Sequence, residues 1–137
     1  MASAVCNSFK TEVLGGTHDL DTDTIKLALY TSAASLSDST TAYSTSNEVV
    51  GTGYTAGGNT LAGAVISLDS STAIVDFTDT SWTTATFTAR YGLIYNSSKT
   101  NKAIAVLDFT TDQTATNGTF TVVFPAAAAS TAIIRLA

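Results

Sequence analysis

ATFTARYGLIY, residues 85–95, sets Phe87, Ala89, Tyr91, Leu93 and Tyr95 on one parity, with Thr86, Thr88 and Arg90 between them. A two-residue apolar period belongs to a strand with one buried face, because successive side chains point to opposite sides. TIKLALYT, residues 24–31, repeats the pattern: Ile25, Leu27 and Leu29 share one face, and Lys26, Ala28 and Tyr30 the other. Residues 103–109 place Ile104, Val106 and Asp108 together, and residues 132–136 turn Ile134 and Leu136 one way and Arg135 the other. Asp69-Ser70-Ser71, between residues 64–68 and 72–77, marks a hairpin, and Asn117-Gly118 a turn before a strand at 119–124. The total is roughly seven to nine short strands about ten residues apart, the spacing of a sandwich or jelly roll.

Only the first segment has the helical period. Val5, Cys6, Phe9 and Val13 recur at helical spacing, and Gly15-Gly16 supplies a stop. Asn7 is the candidate N-cap if the helix covers residues 8–14. Without a second convincing helix there is no β-α-β rhythm. The expected fold is all-β: an antiparallel two-sheet sandwich, jelly-roll-like, in a single domain over residues 1–137 with a short N-terminal helix inside residues 1–16. Residues 32–47 form a long polar connection, of a length that is normally functional or disordered. Residues 48–50 read as a short strand, and the glycine-rich GTGYTAGGNTLAG, residues 51–63, as irregular backbone or a close approach between chains.

Composition narrows the function. Charged residues make up 12 % of the chain, about half the roughly 25 % usual for soluble domains. Hydroxyls replace them, with 15 Ser and 26 Thr. Mean hydropathy is +0.24. A surface so short of charge tends to stick to its neighbours, which leads to the expectation that part of it is covered in an assembly; a threonine-coated monomer is the alternative. The net charge of −5 and six scattered cations (Lys10, Lys26, Arg90, Lys99, Lys102, Arg135) argue against nucleic acid. The longest apolar run, residues 122–129, is far short of the ~20 residues a membrane-spanning helix needs. The first residues lack the basic-then-apolar pattern of a secretion signal, so synthesis in a cytoplasm is expected.

Chemistry-bearing residues are few. His18 is the sole histidine and no G-x-S-x-G motif accompanies it, so it reads as a turn or surface histidine. The lone Cys6 reads as a buried structural thiol, and one His with one Cys cannot complete a zinc site. Asp19, Asp21 and Asp23 alternate as in the first half of a calcium loop. Thr24 and Tyr30 then stand where glycine and a bidentate glutamate are needed, which favours an acidic turn over a cation site. Asp76, Asp79, Asp108 and Asp112 have no telling spacing, although a hydrolase using Asp76 and Asp108 stays a third option. No catalytic, cofactor-binding or metal-binding residue is assigned, no cofactor is expected, and the chain is not expected to be an enzyme.

NSFKTEVLGGTHDLDTDTIKLALYTS (residues 7–32), TTAYSTSNEVVGTGYTAGG (residues 40–58) and TFTVVFPAAAASTAIIRLA (residues 119–137) resemble small virion proteins of tailed bacteriophages. The resemblance implies a capsid decoration, or cement, protein: a β-rich homotrimer made in the host cytoplasm and placed on the outer capsid surface of the virion. There it would bridge neighbouring copies of the major capsid protein. A tail or head fibre module recognising the host surface is the alternative. Interface anchors would come from the aromatics Phe9, Tyr30, Tyr43 and Tyr54, because such residues dominate binding hot spots. Packing in the chain's own core is the other reading of each. Residues 32–47 and the glycine-rich segment are the candidate arms.

Overall fold

The alternating runs pair with one another, and the pairing makes two antiparallel sheets. In the computed structural model, which describes residues 3–136, the elements are β1 (Ala4–Val5), α1 (Asn7–Leu14), β2 (Ile25–Tyr30), β3 (Asn59–Thr60), β4 (Val65–Asp69), β5 (Thr72–Asp76), β6 (Thr80–Asn96), β7 (Lys102–Val122) and β8 (Ile134–Leu136). The larger sheet has the order β1-β7-β6-β2-β3 and the smaller one β4-β5-β8. The protein is an all-β sandwich with one short helix. No helix among the described residues is long and apolar enough to cross a membrane.

Two strands are far longer than their sequence punctuation implies. β6 runs for 17 residues and β7 for 21, absorbing the run at 103–109 and residues 119–122 of the run at 119–124 into one element. The Asn117-Gly118 pair does not turn the chain. Asn117 takes a positive φ of 45° inside a bulge, and its amide donates to Thr86 Oγ1 at 2.9 Å. Register shifts also fall between Trp82 and Ala85 and between Ala89 and Tyr91, with Thr84 and Thr110 at positive φ. A bulge and a turn need the same left-handed residue, so the dipeptide signals both equally. Bulges re-aim and twist a long ribbon without ending it.

The N-terminal segment is corrected in detail. Val5 belongs to β1, paired with Ala105 of β7. The extended residue before the helix is Cys6, and Asn7 is already helical. Its side chain accepts from Lys10 Nζ at 3.1 Å and does not cap the helix. Residues 48–50 are not a strand: Glu48 makes one isolated bridge to Tyr30, and the Val49 amide donates to the Leu29 carbonyl at 2.9 Å.

β2 is buried along nearly its whole length, on both faces. Ile25, Leu27 and Leu29 fill one side, as their alternation implies, but Ala28 and Tyr30 on the other are equally enclosed. Residues 43–58 cover that second face. Tyr30 Oη donates to the Ser44 carbonyl at 2.6 Å, Tyr95 Oη donates to the Gly57 carbonyl at 2.7 Å, and the Tyr43 and Tyr95 rings stack at 4.6 Å. Gly58 makes this possible. Its φ is +77°, and a Cβ there would stand 1.8 Å from the Leu27 carbonyl oxygen.

Candidate docking surface

Tyr43 and Tyr54 serve the interior through one carboxylate, while the Tyr30 hydroxyl is held by the Ser44 carbonyl. Glu48 is 7 % exposed. Its Oε1 accepts from Tyr43 Oη at 2.7 Å; its Oε2 accepts from Tyr54 Oη at 2.6 Å and from the Gly57 amide at 2.8 Å. Tyr54 Oη in turn accepts from the Leu29 amide at 2.9 Å, tying the cluster to β2. A buried charge persists where several donors surround it. Burial, and then Glu48, push the Tyr54 and Tyr43 hydroxyls far above the ordinary tyrosine range, and the same two causes push Tyr95 up to about 12.

The four nominated anchors are therefore not free surface residues. Phe9 and Tyr30 are each 1 % exposed and belong to the core. Tyr43 and Tyr54 are half-buried, with their hydroxyls committed to Glu48. Sequence reasoning passed over Glu48, although a signal was present: it is the sole charged residue between Asp38 and Asp69. The candidate arms also fold back. The Tyr43 amide donates to the Asn101 carbonyl at 2.9 Å, the Asn7 amide to the Asp38 carbonyl at 2.8 Å, and Thr52 bridges to Thr86.

His18 is buried, not exposed. Asn96 Nδ2 lies 3.0 Å from His18 Nδ1 and donates to Asp23 Oδ2 at 2.8 Å, while His18 Nε2 lies 3.0 Å from Glu12 Oε1. Because Asn96 Oδ1 accepts from the Ser98 amide and its Nδ2 can only donate, His18 Nδ1 is the acceptor and its Nε2–H faces Glu12. The Asn96 amide holds the Asp23 carboxyl below its ordinary range, helped by the Asp19 amide. The acidic segment thus works as a turn, closed by the Asp23 amide donating to the Asp19 carbonyl at 2.8 Å. Among the described residues, no group of three or more His, Cys, Asp or Glu is placed to hold a metal ion. Burial pushes the Cys6 thiol up to about 11, the state of an inert structural cysteine.

A depression of about 540 Å³ lies between β1, β7 and the residues around β8. Asp108 is the one acid among its described lining residues, and Arg90 Nε meets it at 3.4 Å. Asp79 is engaged elsewhere, accepting from the Phe124 amide at 2.9 Å.

What the fold leaves outside is a broad hydroxyl face. In the outer half of the β6–β7 ribbon, Trp82, Phe87 and Phe120 point inward, with Phe87 and Phe120 ring centroids 5.0 Å apart. Their neighbours Ser81, Thr83, Thr84, Thr86, Thr88, Thr114, Thr116, Thr119 and Thr121 are exposed. Residues 80–89 and 113–123 contain no Asp, Glu, Lys or Arg. The hydroxyls bond across the ribbon: Ser81 with Thr121 at 2.9 Å, and Thr88 with Thr114 at 2.8 Å. Polar groups already paired cost less to take out of water than bare ones. An uncharged, internally bonded β-face can be covered by another protein cheaply. No family model, no curated protein and no solved structure matches this chain.

Proposed function

We propose that the chain is a structural virion protein of a tailed bacteriophage, a homotrimeric capsid decoration protein that binds the outer capsid surface and bridges major capsid subunits. The observation that carries this reading is the hydroxyl face of the β6–β7 ribbon: nine exposed Ser and Thr side chains on two half-strands, residues 80–89 and 113–123, free of charge. At about 3.3 Å per residue, each ten-residue half-strand offers roughly 30 Å of ribbon to a neighbour. The resemblance of residues 7–32, 40–58 and 119–137 to small phage virion proteins supplies the partner. The depression of about 540 Å³ holds one acid among its described lining residues, where glycoside hydrolysis uses two, which supports binding over catalysis at that place.

Such a protein reinforces a shell because it binds the assembled form alone and adds its binding free energy to that state. Three copies acting together raise the effective concentration of each contact. Sedimentation of the purified chain should give three times the 14.1 kDa protomer mass or a multiple of that trimer, and quantitative gels of virions should give hundreds of copies per particle. A monomer at every concentration overturns the trimer. A few dozen copies per particle would instead favour a fibre module.

A further inference from the structure

Sheets must end somewhere, and most edges of this protein are blunt. Among the described residues, the larger sheet ends in β1 and β3, each two residues long, and the smaller one ends in the three-residue β8. Bulges at Phe109–Asp112 and Asn117 break the outer half of β7, and the bulge at Thr83–Thr84 and the bridge from Thr52 to Thr86 interrupt the open edge of β6. β4 is the exception. It forms the other edge of the smaller sheet and stays in unbroken register with β5 from Val65↔Asp76 to Asp69↔Thr72. Soluble proteins protect such an edge with lysine, proline, a bulge or an inward charge. VISLD, residues 65–69, has none of these: its one charge, Asp69, sits at the strand end and accepts from the Ala129 amide at 2.6 Å.

The exposed side chains show what kind of partner fits. Val65 is 58 % exposed, Ile66 50 % and Leu68 70 %. Val65 and Ile66 point to opposite sides of the sheet, so a layer laid over one face would leave apolar surface open on the other. A strand added alongside supplies cross-strand neighbours on both faces at once. The backbone agrees. Asp69 and Thr72 close a two-residue turn, and alternation from that pair directs the N–H and C=O groups of Ile66 and Leu68 away from β5, toward the open edge.

We infer that the added strand is β4 of a second copy of this chain, running antiparallel about a twofold axis through Ser67. The segment is complementary to itself in that register. Ile66 faces the second copy's Leu68, and Val65 faces its Asp69. The two Asp69 carboxylates then stand about 13 Å apart along the seam, beyond the ~8 Å screening length at physiological salt. The contact closes at two copies, so it consumes the edge without growing a fibre. The product is one continuous six-stranded sheet, β8-β5-β4 joined to its mate. This goes beyond the proposed function: the twofold seam is distinct from a threefold contact, and a trimer carrying three such edges would be joined to its neighbours.

Ser67→Cys tests the register directly, since the native Cys6 is fully buried. Ser67 and its mate form the close, non-hydrogen-bonded pair, with Cα atoms about 4.5 Å apart, inside the range a disulfide can span. Mild oxidation should link Ser67→Cys into covalent dimers at least tenfold faster than the exposed control Thr111→Cys. Ile66→Cys, whose mate lies about 8 Å away in this register, should match the control. Leu68→Lys, at a side chain 70 % exposed, should abolish association through this seam while its circular dichroism stays that of the natural chain. Linking of Ser67→Cys no faster than the control overturns the inference, as does equal linking at Ile66→Cys. A chain that sediments as a trimer yet leaves Ser67→Cys unlinked overturns this seam and leaves the proposed function standing.

Discussion

Glu48→Ala is expected to lower the free energy of unfolding by about 3–5 kcal/mol, among the largest losses available in this chain. The substitution leaves two tyrosine hydroxyls and the Gly57 amide without their shared acceptor inside the fold. Charge-assisted hydrogen bonds are worth about 1.5–3 kcal/mol each, and a buried donor without a partner loses its hydration as well. Tyr43→Phe should cost about 1–2 kcal/mol, because Glu48 keeps its Tyr54 and Gly57 donors. The double substitution should cost less than the sum, since both changes dismantle one network. Urea unfolding followed by circular dichroism reads all three. A loss below 1 kcal/mol for Glu48→Ala would mean that the carboxylate reaches solvent and organises nothing.

Gly58→Ala should be as damaging for a steric reason. Its Cβ would stand 1.8 Å from the Leu27 carbonyl oxygen and 2.8 Å from the Ala28 Cα, both backbone atoms of β2. β2 is held between β6 and β3 and cannot retreat without breaking its ladders. About 4 kcal/mol or more should be lost, or the protein should fail to accumulate in soluble form. Gly16→Ala is the control: its φ of +76° is nearly the same, yet nothing lies within 4 Å of the added methyl. It should show only the left-handed backbone penalty, about 1–2 kcal/mol. Equal costs at the two sites would refute the close approach of residues 57–58 to β2.

Local periodicity made much of the fold legible. The runs at 24–31 and 85–95 are strands whose apolar parity is buried, and residues 64–76 form the expected hairpin. The hydroxyl face could also be read, because TATFTA (residues 84–89) and TFTV (residues 119–122) alternate threonine with apolar side chains. What escaped was non-local. Tyr30 sits on the parity opposite Leu27 and Leu29, so a half-buried strand would expose it. It is buried because residues 43–58 return over that face. The same return turns Tyr43 and Tyr54 from surface anchors into partners of Glu48. Asn117-Gly118 hid the length of β7, since its backbone preference serves a bulge as well as a turn. The openness of β4 depends on which strand stands beside it, and no property of VISLD alone records that.

The account rests on the hydroxyl face being the surface laid against the shell. The direct measurement is rebinding of purified chain to capsids stripped of it, comparing the natural sequence with Thr116→Lys/Thr119→Lys. Both threonines are exposed on the outer ribbon, so folding should change by no more than about 0.5 kcal/mol per site. Two ammonium groups pressed into an uncharged contact lose their hydration without gaining partners. The natural chain should rebind and restore the shell's resistance to heat, and the double variant should bind at least a hundredfold more weakly. Equal rebinding by the two would contradict the account.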